Sequence, residues 1–237
     1  TSTKAYASIA YHQMLGLSSL LSAGFNVGWA NKRIDPTKLT FPDQFDGRFF
    51  QTALPTSVIL ENTNINYFDM QAGMNYAYFP SENTFINAGY SIHHVNHPKE
   101  TFFADDGTGS NRIAIRHIGF LNGIFKVADN FIINPNIYYT RQASASELVG
   151  GINGAYNLTE HGELQFLAGL YYRYNDAIIP MAGFEINNIR FTFSYDITTS
   201  SLRNFNHFNG ALEFNILKKG FYNEYAGNRK QTLCPTF

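Results

Sequence analysis

The chain has 237 residues, a formal net charge of −1 and a mean hydropathy of −0.21. This charge balance excludes a nucleic-acid binder that works through a basic surface, because such binding depends on many cationic contacts with phosphates. Charged residues make up 15% and aromatic residues 16% of the sequence, and no run of about 18 apolar residues predicts a transmembrane helix.

Alternating apolar and polar residues recur along the whole chain. In residues 189–197, for example, Ile189, Phe191, Phe193 and Tyr195 alternate with polar side chains, a pattern typical of a strand with one apolar face. Segments of about ten residues suit a tilted strand that crosses a bilayer. The pattern predicts about eleven strands, at residues 4–13, 20–30, 67–79, 85–96, 112–127, 131–142, 146–158, 163–174, 177–187, 188–198 and 206–217.

The connections between these strands sort by length. All the odd-numbered connections are short, and both long ones, about 31–66 and 97–111, are even-numbered. Alternate connections of an up-and-down barrel lie at the same end, and outer-membrane barrels have short periplasmic turns and longer extracellular loops. The sequence therefore predicts an all-β, transmembrane, antiparallel outer-membrane β-barrel with these two loops outside.

In such a barrel the aromatic strand faces meet lipid, and the polar faces line the lumen. These lumen charges form either a salt-bridged network that plugs the barrel, the interpretation we favour for its modest size, or a conduction path. The predicted lumen or rim charges are Asp69, Arg116, Arg141, Arg173, Arg190, Asp196 and Glu213.

Motifs for catalysis or metal binding are weak. His93 and His94 of "HHVNH" point to opposite faces of a strand and cannot share a metal ion. The "DDGTG" run at 105–109 lacks the ligand spacing of a calcium hand, and there is no GxSxG nucleophile elbow. The lone Cys234 excludes an internal disulfide. We expect no enzyme activity, no metal and no cofactor.

An odd number of strands is unusual, because single-chain bacterial barrels normally have an even number and keep both termini in the periplasm. We therefore expect one or three strands before residue 1, a barrel over 1–217 and a periplasmic tail over 218–237. The tail mixes aromatic and basic residues, which favours partner docking, and its candidate contacts are Phe221, Tyr222, Tyr225, Cys234 and Phe237.

Several segments, taken in order, resemble the PorP/SprF family of outer-membrane proteins of the type IX secretion system of Bacteroidota. They include "YFDMQAGMNYAYF", "NAGYSIHHVNHPKETFF", "RHIGFLNGIFKVADNFIINPNIYYTRQASASELVGG", "YRYNDAIIPMAGFEINNIRFTFSYDITTSSL", "NGALEFNILKKG" and "CPTF". Members typically end Cys-Pro-Arg-Phe, and Thr236 stands here in place of the arginine, which puts any contact of that arginine in doubt.

The resemblance implies a fourteen-stranded barrel whose first three strands precede this chain, in the outer membrane with its lipid and lipopolysaccharide. It also implies a non-enzymatic role in exporting or retaining large surface proteins, including gliding adhesins. The implied partners are a secreted protein or its C-terminal secretion domain, and periplasmic components that include peptidoglycan-linked proteins.

Our leading hypothesis is a binding platform formed by the two long loops. Exposed aromatic residues are favoured interface anchors, and the candidates here are Phe41, Phe45, Phe49, Phe50, Phe102 and Phe103. The alternative for these rings is that they fold back and cap the barrel mouth. The alternative functions are an outer-membrane channel for small solutes and, last, a β-sandwich outside the membrane.

Overall fold

The structure, a computed structural model, describes residues 1–103, 111–159, 164–206 and 210–218. Three short helices occur in it: two 3₁₀ turns at Pro36–Lys38 and Pro42–Gln44, and α1 at Arg203–Asn206. In this part of the chain no helix has the length and apolar character needed to cross a membrane. The strands are β1 (Ser2–Met14), β2 (Ser19–Arg33), β3 (Asn64–Ser81), β4 (Thr84–His93), β5 (Arg116–Ala128), β6 (Phe131–Gln142), β7 (Ala145–Asn157), β8 (Leu164–Arg173), β9 (Ala177–Ile186), β10 (Ile189–Tyr195), β11 (Ile197–Thr198) and β12 (Leu212–Lys218).

All twelve strands belong to one sheet, in the order β1 to β10 followed by β12, while the two-residue β11 pairs with β9. The pairs from β6 to β10 and the β10–β12 pair are antiparallel with defined register. Apart from the two-residue β11, each strand therefore lies beside the strands that precede and follow it in sequence. This confirms the all-β, up-and-down prediction, whereas closure into a barrel and the fourteen-strand count stay predictions.

Turn residues explain the tight connections. Asn187 and Asn188 both have positive φ, 49° and 65°, as a two-residue hairpin turn of type I′ requires. The turn sets Ile186 opposite Ile189, and Glu185 opposite Arg190, at the start of the β9–β10 ladder. Two connections are long instead: residues 34–63 between β2 and β3, and residues 94–115 between β4 and β5.

The strand predicted at 206–217 begins later than the sequence indicates. Its first residue, Asn206, belongs to α1 (Arg203–Asn206), which has a backbone hydrogen bond of 2.9 Å from Phe205 N to Leu202 O, and β12 begins at Leu212. The predicted strand at 188–198 is interrupted after Tyr195, but β11 continues the β10 register on β9. Alternation alone predicts neither the helical turn nor the interruption, because both depend on local backbone hydrogen bonds.

Many large apolar side chains of the strands are exposed, while several polar side chains of the strands are buried. In β3, Phe68 is 64% exposed whereas the adjacent Asp69 is 2% exposed. In β2, exposed Val27 and Trp29 flank Gly28 and precede the buried Ala30. In water the hydrophobic effect would cover the opposite face. This inversion is the arrangement of a membrane-barrel wall, which is apolar outside and polar inside.

The chain divides into two compact units. The first contains the following segments: 1–11, 23–73 and 91–117. The second contains 12–22, 74–90 and the described residues from 118 onward. In the second unit, Asn134 Nδ2 donates to Asn153 Oδ1 at 2.9 Å, and Gly151 faces Tyr171 across the β7–β8 pair. The first unit contains both long connections, and with them all six of the described candidate binding residues.

Candidate functional site

The first long connection (residues 34–63) is ordered by its own polar side chains. Its base is closed by a backbone hydrogen bond of 3.0 Å from Ile34 N to Thr63 O. The Asp43 carboxylate accepts hydrogen bonds from Ser57 N and Ser57 Oγ at 2.6 and 2.9 Å. Gln44 is buried and donates from Nε2 to Leu54 O at 2.8 Å. Hydrogen bonds within the connection therefore hold it in a defined conformation.

An aromatic tip (residues 45–50) projects from this connection. Phe45 and Phe50 form an antiparallel bridge, and their ring centroids lie 5.1 Å apart. The Asp46 carboxylate accepts hydrogen bonds from Arg48 N at 2.8 Å and Phe49 N at 2.7 Å. These bonds, that from Phe49 first, hold the pKa of Asp46 below its usual value. The three phenylalanines are exposed, Phe49 most of all at 72%.

Phe41 has a different environment from the aromatic tip. Its side chain is half-buried and lines a cavity of about 320 Å³ together with Leu39 and Leu60. Its backbone N–H donates to Gln44 Oε1 at 3.0 Å. Phe41 therefore packs within the connection, whereas the three tip phenylalanines are exposed to a partner.

The second long connection (residues 94–115) meets the first through backbone hydrogen bonds. The Phe102 carbonyl accepts from Glu61 N at 3.0 Å and from Asn62 N at 3.1 Å. Phe102 is half-buried, whereas Phe103 is exposed. The two connections therefore form one continuous surface within the first unit.

A charged network lies where the second connection meets the sheet. Glu100 forms a short ion pair with Lys32 and accepts a hydrogen bond of 2.8 Å from Tyr67 Oη. Burial alone would raise the pKa of Glu100, but the hydrogen bonds from Lys32 and Tyr67 outweigh it and keep the pKa below its usual value. Glu100 is therefore an ionised carboxylate whose charge is compensated locally.

Asp69 is the most completely buried of the described lumen candidates. His94 Nδ1 donates to its Oδ1 at 2.8 Å, and Gln71 Nε2 donates to Oδ2 at 3.2 Å. His94 has a φ of 59°, in the left-handed region that few side chains adopt. The left-handed backbone at His94 thus brings the imidazole of His94 within hydrogen-bond distance of the buried Asp69 carboxylate.

In the second unit the Arg173 guanidinium lies close to three carboxylates. Its Nη1 lies 3.0 Å from Asp176 Oδ2 and 2.9 Å from Asp196 Oδ2, while its Nε lies 3.2 Å from Glu147 Oε1. This arrangement brings together Arg173 and Asp196, two charges that the sequence placed on the polar face. Such a cluster fits a structural role, because each charge has a close opposite partner.

The other predicted lumen charges have varied environments. Arg190 Nε donates to Glu185 Oε2 at 2.7 Å, and Glu185 is 4% exposed. Arg116 is half-buried at the start of β5. Arg141 is exposed on β6, and Glu213 is exposed on β12, where every residue is exposed. The position of these side chains relative to a lumen stays a prediction.

Several candidate residues lie outside the described residues. The "DDGTG" run at 105–109 is one such segment, and the tail candidates form another: Phe221, Tyr222, Tyr225, Cys234 and Phe237. Within the described ranges, no group of three or more His, Cys, Asp or Glu side chains could hold a metal ion.

Sequence reasoning missed the residues that join the two connections to the sheet. Lys32, Tyr67 and Glu100 come from three distant parts of the chain. The only available signal was Glu100 itself, the single acidic residue between His93 and Phe103. Its partners could not be assigned without knowing how the connections fold.

A comparison with protein-family models matches residues 1–216 to the family described as "Type IX secretion system membrane protein PorP/SprF". No curated protein matches the chain.

Proposed function

Since the chain belongs to the PorP/SprF family of type IX secretion system membrane proteins, we propose that it holds a large secreted surface protein through its two long connections. The protein acts as a binding platform in the outer membrane and catalyses no reaction. Its cargo contacts the first connection at the aromatic tip and the second connection near Phe103. The partner is a secreted adhesin or its C-terminal secretion domain.

The aromatic tip is the observation that carries this proposal. Its rings are exposed on a segment fixed by hydrogen bonds from Arg48 N and Phe49 N to Asp46. A rigid aromatic group loses little conformational entropy on binding, which is why such groups serve as interface anchors. Exposure of three phenylalanines would otherwise be unfavourable in water.

The tail, residues 218–237, supplies the second part of the proposal. Its aromatic and basic residues suit docking to periplasmic components of the secretion machinery, including peptidoglycan-linked proteins. Deletion of 219–237 should release these partners while the sheet still assembles. Retention of every periplasmic partner by the truncated protein would contradict the docking role.

Site-specific photo-crosslinking in cells tests the platform. A photoreactive phenylalanine analogue at Phe49 should capture a large secreted protein, identified by mass spectrometry. The same analogue at Phe41, which lies in the same connection but lines its internal cavity, is the matched control and should capture little. Equal capture at both positions, or capture of no secreted protein at Phe49, would refute the platform.

A further inference from the structure

We propose that a cleft between the second connection and the strands β1 and β3 binds an acidic segment of the partner protein. This inference rests on the proposed function and names the chemistry of the bound segment. The cleft has a volume of about 540 Å³ and is lined by Lys4, Tyr67, His94, Glu100, Phe103 and Arg112, among others. Its size is in the range of ligand-binding clefts.

Two cations in this cleft have no carboxylate partner among the described residues. Arg112 donates from Nη1 to the backbone carbonyl of His97 at 3.0 Å, a neutral acceptor. Lys4 is exposed, and its positive charge is one of the weaker causes that keep the pKa of Glu100 below its usual value, but it forms no ion pair with a described carboxylate. By contrast, Glu100 is neutralised by Lys32. Counted over its described lining residues, the cleft therefore carries an excess positive charge, which favours an anionic ligand.

The backbone fixes the position of the arginine. Lys99 and Arg112 form an antiparallel bridge, and the flanking residues make its hydrogen bonds, from Glu100 N to Asn111 O at 3.0 Å and from Ile113 N to Pro98 O at 2.9 Å. A guanidinium held in this way can bind a carboxylate through two parallel N–H donors.

The apolar part of the cleft indicates a peptide and not a free anion. Phe103 is 51% exposed at the cleft, and Phe102 and Ile113 also line it. A peptide with carboxylates next to apolar side chains would pair with the cations and would also pack against the apolar lining of the cleft. An inorganic anion would contact the cations alone, leaving the aromatic surface in water.

Binding of a short fluorescent peptide of alternating glutamate and leucine to the full chain in detergent micelles tests this proposal. We expect saturable binding that weakens with added salt, and no binding of the matched glutamine peptide. Lys4→Glu and Arg112→Glu should each weaken binding about fivefold. Lys38→Glu makes the same charge change on an exposed lysine outside the cleft and should leave binding unchanged.

Other outcomes would overturn the proposal. Equal binding of the glutamine peptide, or equal weakening by Lys38→Glu, would show that the interaction is not a charge-specific one at the cleft. Binding only after Asp105→Asn and Asp106→Asn would show that the chain's own acidic run occupies the cleft. Binding of anionic lipid vesicles but not of the peptide would assign the cations to a lipid headgroup. In each case photo-crosslinking at Phe49 tests independently whether the aromatic tip binds a secreted protein.

Discussion

Removal of the imidazole that contacts the buried Asp69 should destabilise the first unit. His94→Asn is the informative change, because asparagine tolerates the left-handed backbone at this position but is too short to replace the imidazole. Leaving a buried hydrogen-bonding group without one of its partners costs about 1–3 kcal/mol. The residual hydrogen bond from Gln71 and the 21% exposure of the His94 side chain reduce the expected loss to about 2 kcal/mol.

The assay is denaturant unfolding in detergent, followed by the fluorescence of Trp29, the single tryptophan of the chain. His97→Asn is the matched control, because His97 is exposed and also has a positive φ of 45°. We expect it to change the free energy of unfolding by less than about 0.5 kcal/mol.

A double-mutant cycle isolates the interaction between the two side chains. Asp69→Asn removes the carboxylate that the imidazole contacts, so His94→Asn should cost little in that background, which corresponds to a coupling of about 1–2 kcal/mol. A coupling near zero, or equal losses for His94→Asn and His97→Asn, would refute the assigned contact.

Two further predictions concern packing and loop order. Gly151→Ala places a Cβ 2.3 Å from a ring carbon of Tyr171, whereas the Cβ of Gly150→Ala meets no atom closer than 3.9 Å. Only Gly151→Ala should therefore lower the free energy of unfolding, by about 1–3 kcal/mol. The pKa of Asp46 is lowered by its hydrogen bonds, so its contribution to tip order is full at neutral pH and is lost as the pH falls through the lowered value. A spin label at Phe49→Cys in a cysteine-free background should become more mobile in acid, and Asp46→Ala should give that mobility at neutral pH. Equal free energies of unfolding for the two glycine variants would contradict the close approach of Gly151 to Tyr171. A spin label whose mobility is insensitive to both acid and Asp46→Ala would contradict the role of Asp46 in ordering the tip.

The sequence predicts the sheet well because alternation is a local property. The alternation of apolar and polar residues places β6 and β9 within one residue of their observed bounds. The Asn187–Asn188 pair marks its hairpin turn by residue type alone. The helical turn α1, which ends at the first residue of the predicted strand, was missed, since it is fixed by backbone bonds that no periodicity reveals.

The candidate site was predictable only in part. Its aromatic residues could be listed from the sequence, but the division between packed Phe41 and exposed Phe49 could not. That division depends on contacts such as the one between Asp43 and Ser57, residues that lie far apart in an irregular segment. Long-range pairing of this kind carries no local signature.

The most direct measurement concerns the lipid contact of the exposed apolar face. Trp29 is 40% exposed on that face of β2 and is the single tryptophan, so its fluorescence reports on one site. After reconstitution in bilayers of lipids brominated along their acyl chains, we expect strong quenching relative to unbrominated lipids, with little quenching by aqueous acrylamide. Efficient acrylamide quenching with no effect of bromine would contradict a membrane-facing sheet.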